Sequence, residues 1–181
     1  DYDLAMMYIE GLETKSQRML EVYQKATFCK GSEYFNNAAY AQAISMLRKS
    51  LNHPCDPALA TQAQLWLGDS LAALQQYEQA IPVYQHVLER LAPTDTLYHQ
   101  AVYGLGYAYF NTANYTQALP QFVRYTSQHQ ASISTAWLQD ALVRSADCYY
   151  ATKHYQQALQ IYDQILQQYP AHVHYQKGVI Y

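Results

Sequence analysis

One small pattern returns four times along this chain, and repetition at near-fixed spacing limits the possible folds more than any other feature of the sequence. A small residue is followed by Tyr or Leu three positions on, Tyr at nine, Ala at twelve and a large apolar residue at sixteen. Anchored on Gly31 the pattern reads Tyr34, Tyr40, Ala43, Leu47; on Gly68, Leu71, Tyr77, Ala80, Tyr84. Anchored on Gly106 it reads Tyr109, Tyr115, Ala118, Phe122; on Ala146, Tyr149, Tyr155, Ala158, Tyr162. The anchors lie 37, 38 and 40 residues apart, a period that belongs to stacked helix-turn-helix units.

Within each unit apolar residues recur at helical spacing on both sides of a short polar break, which predicts two amphipathic helices joined by a tight turn. The breaks are Asn36-Asn37-Ala38-Ala39, Leu74-Gln75-Gln76, Asn111-Thr112-Ala113-Asn114 and Thr152-Lys153-His154. Connections this short make antiparallel pairs. Units are separated by His53-Pro54-Cys55-Asp56-Pro57, Ala92-Pro93-Thr94-Asp95, Ser127-Gln128-His129-Gln130 and Tyr169-Pro170, where Pro or polar residues stop a helix. Small anchors let two helices approach closely, and the residue at sixteen fills the space around that contact. Pro82 and Pro120 both fall two past the Ala, and a second helix starting near Tyr77 and Tyr115 would carry them near its first turns, where a missing amide costs least.

The expected fold is therefore an all-α, right-handed superhelical array of antiparallel helix pairs, a single array over 1–181. Its repeats are expected at 17–53, 58–92, 97–128 and 136–170. Tyr2, Ala5 and Ile9 match the offsets nine, twelve and sixteen, so residues 1–13 read as a second helix without its first. Residues 172–181 read as the start of another first helix, with Gly178 as its anchor. A chain that begins and ends inside repeats is expected to be a piece of a longer array.

Composition removes several classes of activity. A formal net charge of −3 with only 14% charged residues provides no basic field for phosphate backbones, so nucleic acid is not an expected ligand. No apolar run reaches the roughly 20 residues that span a bilayer, so no membrane insertion is expected of these residues. The three cysteines, Cys29, Cys55 and Cys148, are odd in number and widely spaced, which fits neither a disulfide framework nor a paired metal motif. No Gly-rich phosphate loop, nucleophile elbow or HExxH is present; no enzyme activity and no cofactor are expected. Cys29 and Cys148 read as structural thiols on helices. His172 and His174 have the spacing of a weak metal pair with no third ligand nearby, and a fortuitous pair is the better reading. Asp56 and Asp95 stand at junctions, where capping explains them.

The repeated residues resemble the tetratricopeptide repeat family, most closely over Leu67-Gly68 through Pro93 and Leu105-Gly106 through Phe122. The long periods look like those of bacterial members, including envelope assembly proteins, which implies a periplasmic or outer-membrane-associated setting over a cytoplasmic one. The resemblance further implies that the first helices line a concave groove for a protein or peptide. Carried over by position, that groove holds Lys25, Phe28, Cys29, Ser32 and Phe35 in the first repeat, and Gln62, Leu65, Trp66, Asp69 and Ala72 in the second. The third repeat offers Gln100, Tyr103, Tyr107, Phe110 and Asn111; the fourth offers Asp140, Val143, Arg144, Asp147 and Tyr150. The family's clamp for a C-terminal carboxylate needs Lys, Arg and Asn at places held here by Phe28, Leu65, Tyr103, Ser32, Asp69 and Tyr107, so the clamp is missing.

The expected partner-binding residues are Phe28, Phe35, Trp66, Asp69, Tyr103, Tyr107, Phe110, Arg144, Asp147 and Tyr150, which together predict a protein or peptide partner with apolar anchors and some positive charge. Each aromatic among them either faces the groove or packs between repeats. Two other functions stay open at this point: a structural array that self-associates as a homo-oligomer, and a regulatory or sensor module attached to a catalytic domain elsewhere in its protein.

Overall fold

A computed structural model describes residues 2–127 and 135–168, and among these residues it contains nine helices and no strand. They are α1 (Tyr2–Glu10), α2 (Gln17–Asn36), α3 (Tyr40–Leu51), α4 (Pro57–Ala73), α5 (Tyr77–Arg90), α6 (Thr96–Asn111), α7 (Tyr115–Ser127), α8 (Thr135–Ala151) and α9 (Tyr155–Gln168). The repeats are the pairs α2/α3, α4/α5, α6/α7 and α8/α9. The chain divides within α6 into an N-terminal unit, Asp1–Gly104, and a C-terminal unit, Leu105–Tyr181.

Every pair is closed by the same turn. After the first helix one residue takes a left-handed backbone: Ala38 (φ 55°), Gln75 (φ 59°), Ala113 (φ 57°) and Lys153 (φ 64°). Its amide donates to the carbonyl three back, and the next amide to the carbonyl five back, as in Ala38 to Phe35 at 2.9 Å and Ala39 to Tyr34 at 2.8 Å. Gln75 and Gln76, Ala113 and Asn114, and Lys153 and His154 repeat both bonds. This is the Schellman arrangement, which satisfies the last carbonyls of a helix, and Gly is its usual residue at the left-handed position. None of the four is Gly here, so each turn carries local strain that the packed helix pair sustains.

The anchors do what the spacing predicts. A Cβ added to Gly31 would lie 2.9 Å from Leu47 Cγ, one on Gly68 2.8 Å from Tyr84 Cε1, and one on Gly106 2.9 Å from Phe122 Cε1. Anchor and offset sixteen therefore meet inside each of these three repeats. Leu47, Tyr84 and Phe122 are fully buried, and removal from water of side chains this large contributes roughly 2–3 kcal/mol each. Ala43, Ala80, Ala118 and Ala158, at offset twelve, are buried as well.

The junctions are built from caps. Ser16 accepts from the Met19 amide, and Asp56 Oδ1 accepts from Ala58 at 2.9 Å and Leu59 at 3.1 Å, with Pro57 in the first turn of α4. Asp95 Oδ1 accepts from the Leu97 amide at 2.8 Å at the start of α6. Behind the first junction lies Gln24, fully buried. Its Nε2 donates to the Asp56 carbonyl at 3.0 Å, and its Oε1 accepts the Asp56 amide at 2.8 Å. One side chain thus stitches the backbone entering α4 onto α2.

One expectation about element bounds needs correction. The orphan second helix ends at Glu10, not at residue 13, because Gly11 and Leu12 close it with amide bonds back to Met7 and Ile9. It packs Met6 and Ile9 against Tyr23 and Ala26 of α2, and Glu10 is held by the Tyr23 hydroxyl at 2.5 Å and Lys49 Nζ at 2.8 Å. The second helices begin, as expected, at Tyr77 and Tyr115, and Pro82 and Pro120 are each the sixth residue, in the second turn and just past the amides that lack partners anyway. Both are exposed, so water can take up the carbonyls they leave unbonded. Residue 128, the Tyr169-Pro170 ending, the start proposed at 172–181 and the His172/His174 pair lie outside the described residues.

Candidate functional site

In the N-terminal unit the first helices α2 and α4 lie side by side, and three aromatic rings meet between them. Phe35 and Trp66 have ring centroids 5.0 Å apart, and Phe28 meets Trp66 edge-on at 6.3 Å. Phe35 also packs edge-on against Tyr40 at 5.5 Å. All four rings are half-buried. Rings on successive first helices that touch yet keep part of their faces in water form a ready floor for an apolar anchor. Lys25, one turn before Phe28 on the same face, is exposed and makes no hydrogen bond or ion pair among the described residues. Tyr103 is half-buried beside Gly104 on α6.

Asp69 does not lie on this floor as an open charge. Tyr84 Oη donates to its Oδ1 at 2.8 Å and Gln100 Nε2 donates to its Oδ2 at 2.8 Å. Burial pushes its carboxyl up to about 6, against the pull of those two bonds; burial, with the neighbouring Asp69 charge, raises the Tyr84 phenol well above its ordinary value. The room for this contact comes from Gly104, where a Cβ would lie 2.6 Å from Tyr84 Cζ.

The C-terminal unit has a different floor. Arg144 on α8 sits over the rings of Phe110 at 5.3 Å and Tyr107 at 5.9 Å. Its Nη1 binds Asp147 Oδ2 at 2.8 Å, its Nε binds the Tyr107 hydroxyl at 3.2 Å, and Asp140 lies 3.6 Å away. Tyr107 donates to Asp140, and Tyr162 Oη donates to Asp147 Oδ1 at 2.5 Å. Burial, with the bond to Asp140, raises the Tyr107 phenol. Phe110 packs on Tyr115 at 5.4 Å, and Tyr150 on Tyr155 at 5.4 Å, the same ring pair as Phe35 and Tyr40. Tyr150 is exposed. Arg144 is thus a cation already matched by two carboxylates, and it holds the wall of the site together.

The structure therefore joins Phe28, Phe35 and Trp66 in one cluster and Tyr107, Phe110, Arg144 and Asp147 in another. Both carboxylates that the sequence offered to a positively charged partner are engaged: Asp69 by Tyr84 of its own repeat and Gln100 of the next, Asp147 by Arg144 and Tyr162 of its own. Leu65 and Val143, placed in the groove by position, are buried in the core. Cys148 is also buried, and burial raises its thiol to about 12, the opposite of an activated nucleophile. Sequence reasoning missed the roles of Gln24 and Gly104. Glutamines read as solvated helix surface, and Gly104 stands outside the repeat offsets; its position within reach of offset sixteen of the preceding repeat was the available signal.

Helix pairs closed by the same turn, with the anchor contact repeated in three of them and aromatic-lined first helices, define an α-solenoid of the repeat-scaffold class. Two tetratricopeptide repeat models match the sequence, one over residues 30–96 and one over 140–172. The chain is a tetratricopeptide repeat protein. No curated protein matches it in sequence. Among solved structures it is similar to YrrB, described as a TPR protein with an unusual peptide-binding site, at 22% identity and a TM-score of 0.71, covering 97% of this chain and 88% of that one. It is also similar to BtubC from P. vanneervenii at 16% identity and a TM-score of 0.69, covering 92% and 69%. A third is MamA from Desulfovibrio magneticus RS-1, at 16% identity and a TM-score of 0.66, covering 92% of each chain. At these identities the likeness establishes the fold.

Proposed function

We propose that this chain is a non-catalytic scaffold that binds a protein or peptide segment on its first-helix face, with the Phe28, Phe35 and Trp66 cluster as the principal anchor site. The observation that carries this reading is the contact of Phe35 and Trp66 at 5.0 Å across two successive first helices, with both rings partly open to solvent. A preformed aromatic floor lowers the ordering cost of a bound segment. The fold class supports a protein or peptide partner, and so does the description of YrrB as a TPR protein with an unusual peptide-binding site. With Asp69 engaged and Lys25 free, a segment carrying an acidic residue beside an aliphatic or aromatic anchor fits this floor better than a basic one. The long periods and the resemblance to bacterial envelope proteins support a bacterial source and a periplasmic or outer-membrane-associated setting.

The test is selection of peptides from a random display library on the immobilised chain, repeated with Trp66→Ala and with Gln79→Ala as an outer-face control. Peptides recovered by the wild type and the control but not by Trp66→Ala, at matched melting temperature, support the reading. Equal recovery by all three proteins contradicts it.

A second reading, self-association, is favoured by α1. At offset eleven the four repeats carry exposed glutamines, Gln42, Gln79, Gln117 and Gln157, whereas α1 carries Leu4, which is exposed, as are its neighbours Met7 and Tyr8. An apolar helix surface left in water is a surface for another protein. Light scattering that shows concentration-dependent mass, abolished by Leu4→Gln with Met7→Gln, would favour it.

A further inference from the structure

A cavity of about 700 Å³ opens in the N-terminal unit at the end of the repeats opposite the Leu74-Gln75-Gln76 turn. It lies between the start of α4 and the connection from α5 to α6, and none of Phe28, Phe35 or Trp66 lines it. Its size falls within the roughly 300–1,000 Å³ of small-ligand pockets. Pro54, Pro57, Leu91 and Leu97 give it apolar walls, and its two charged residues are Arg90 and Asp95. These two are not equivalent. Asp95 has its carboxylate turned to the Leu97 amide as the cap of α6, where the positive end of the helix offsets part of its charge. Arg90, the last residue of α5, is exposed and makes no hydrogen bond or ion pair among the described residues. The start of α4 adds no competing anion site, because the Asp56 carboxylate already accepts its first amides.

We propose that this cavity is a second peptide-binding site, which takes an aliphatic side chain against Pro54, Pro57, Leu91 and Leu97 and an adjacent carboxylate on Arg90. Charge complementarity selects the occupant: an open guanidinium beside an apolar hollow matches a carboxylate next to an aliphatic group, and the planar fork of Arg binds carboxylate through two parallel bonds. The repeat-scaffold class selects a protein segment over a free metabolite as its source. This site lies apart from the aromatic floor, so the two readings stand or fall separately.

The experiment is an NMR titration of the full chain with acetyl-Ala-Leu-Asp-amide, with acetyl-Ala-Leu-Asn-amide as the uncharged isostere. Saturable amide shifts at residues 57–62 and 90–97, about two- to fivefold weaker for the Asn peptide and for Arg90→Ala, are expected, since an exposed charge-assisted contact contributes about that factor. Arg90→Glu should reverse the preference toward acetyl-Ala-Leu-Lys-amide. Absence of saturable shifts, shifts confined to residues around Phe28 and Trp66, or affinity unchanged in both Arg90 variants would overturn the proposal.

Discussion

Tyr84 reaches from the second helix of its repeat to the Asp69 carboxylate on the first, 2.8 Å away, and Tyr162 makes the same contact with Asp147 at 2.5 Å. Both pairs join offset sixteen to the residue after the anchor. In the third repeat that position is Tyr107, and the partner is the ring of Phe122 at 5.6 Å. The site wall is thus the far side of the packing contact that closes each pair.

A pH dependence follows from Asp69. Its folded carboxyl titrates at about 6, above the value near 3.9 of an unfolded chain. Between these values the folded state holds the proton and the unfolded state does not, so stability falls as pH rises through that window and is lower above it. Chemical denaturation at pH 4.5 and 7.5 should show Asp69→Asn gaining on the wild type at the higher pH by on the order of 2 kcal/mol. A constant difference would show that Asp69 titrates normally.

Gly104→Ala should cost about 1–3 kcal/mol by forcing overpacking against Tyr84, and Tyr84→Leu should relieve most of that cost. Denaturant midpoints for the two single variants and the double variant measure the coupling; additive losses would show that the ring is not what Gly104 accommodates.

How far the sequence led can be read from these residues. The helix pairs and the contacts of Gly31, Gly68 and Gly106 were legible because a steric requirement repeated in space repeats along the chain. Positions on a helix face were legible too, and Phe35 and Trp66, expected on one face, have their rings in contact. What spacing does not encode is who bonds whom. Asp69 and Asp147 read as open charges because their partners, Tyr84 and Tyr162, lie fifteen residues away on another helix, where spacing alone marks them only as filling side chains. Gln24 escaped notice because its partner is backbone, which has no signature in sequence.

Gln75→Gly and Lys153→Gly should each raise stability by about 0.5–1 kcal/mol, because Gly adopts the left-handed turn without a Cβ penalty and that gain exceeds its entropy cost here. Thermal melts of the single variants check this, and a lower melting temperature in both would show that the turns are unstrained.

Gln24→Leu should destabilise by about 2–3 kcal/mol, since it leaves the amide and carbonyl of Asp56 without their partner. Hydrogen exchange at the start of α4 should accelerate with it; unchanged exchange there would show that the junction is held by other contacts.

The central claim is that the rings between α2 and α4 receive a partner's anchor. The most direct measurement is an NMR map of the wild-type chain titrated with a peptide obtained by display selection. The account predicts that the Trp66 indole Nε1 resonance and the amides around Phe28 and Phe35 shift together and saturate with one affinity. Shifts confined to the outer helices around Gln42 and Gln79, with the Trp66 indole unmoved, would contradict it.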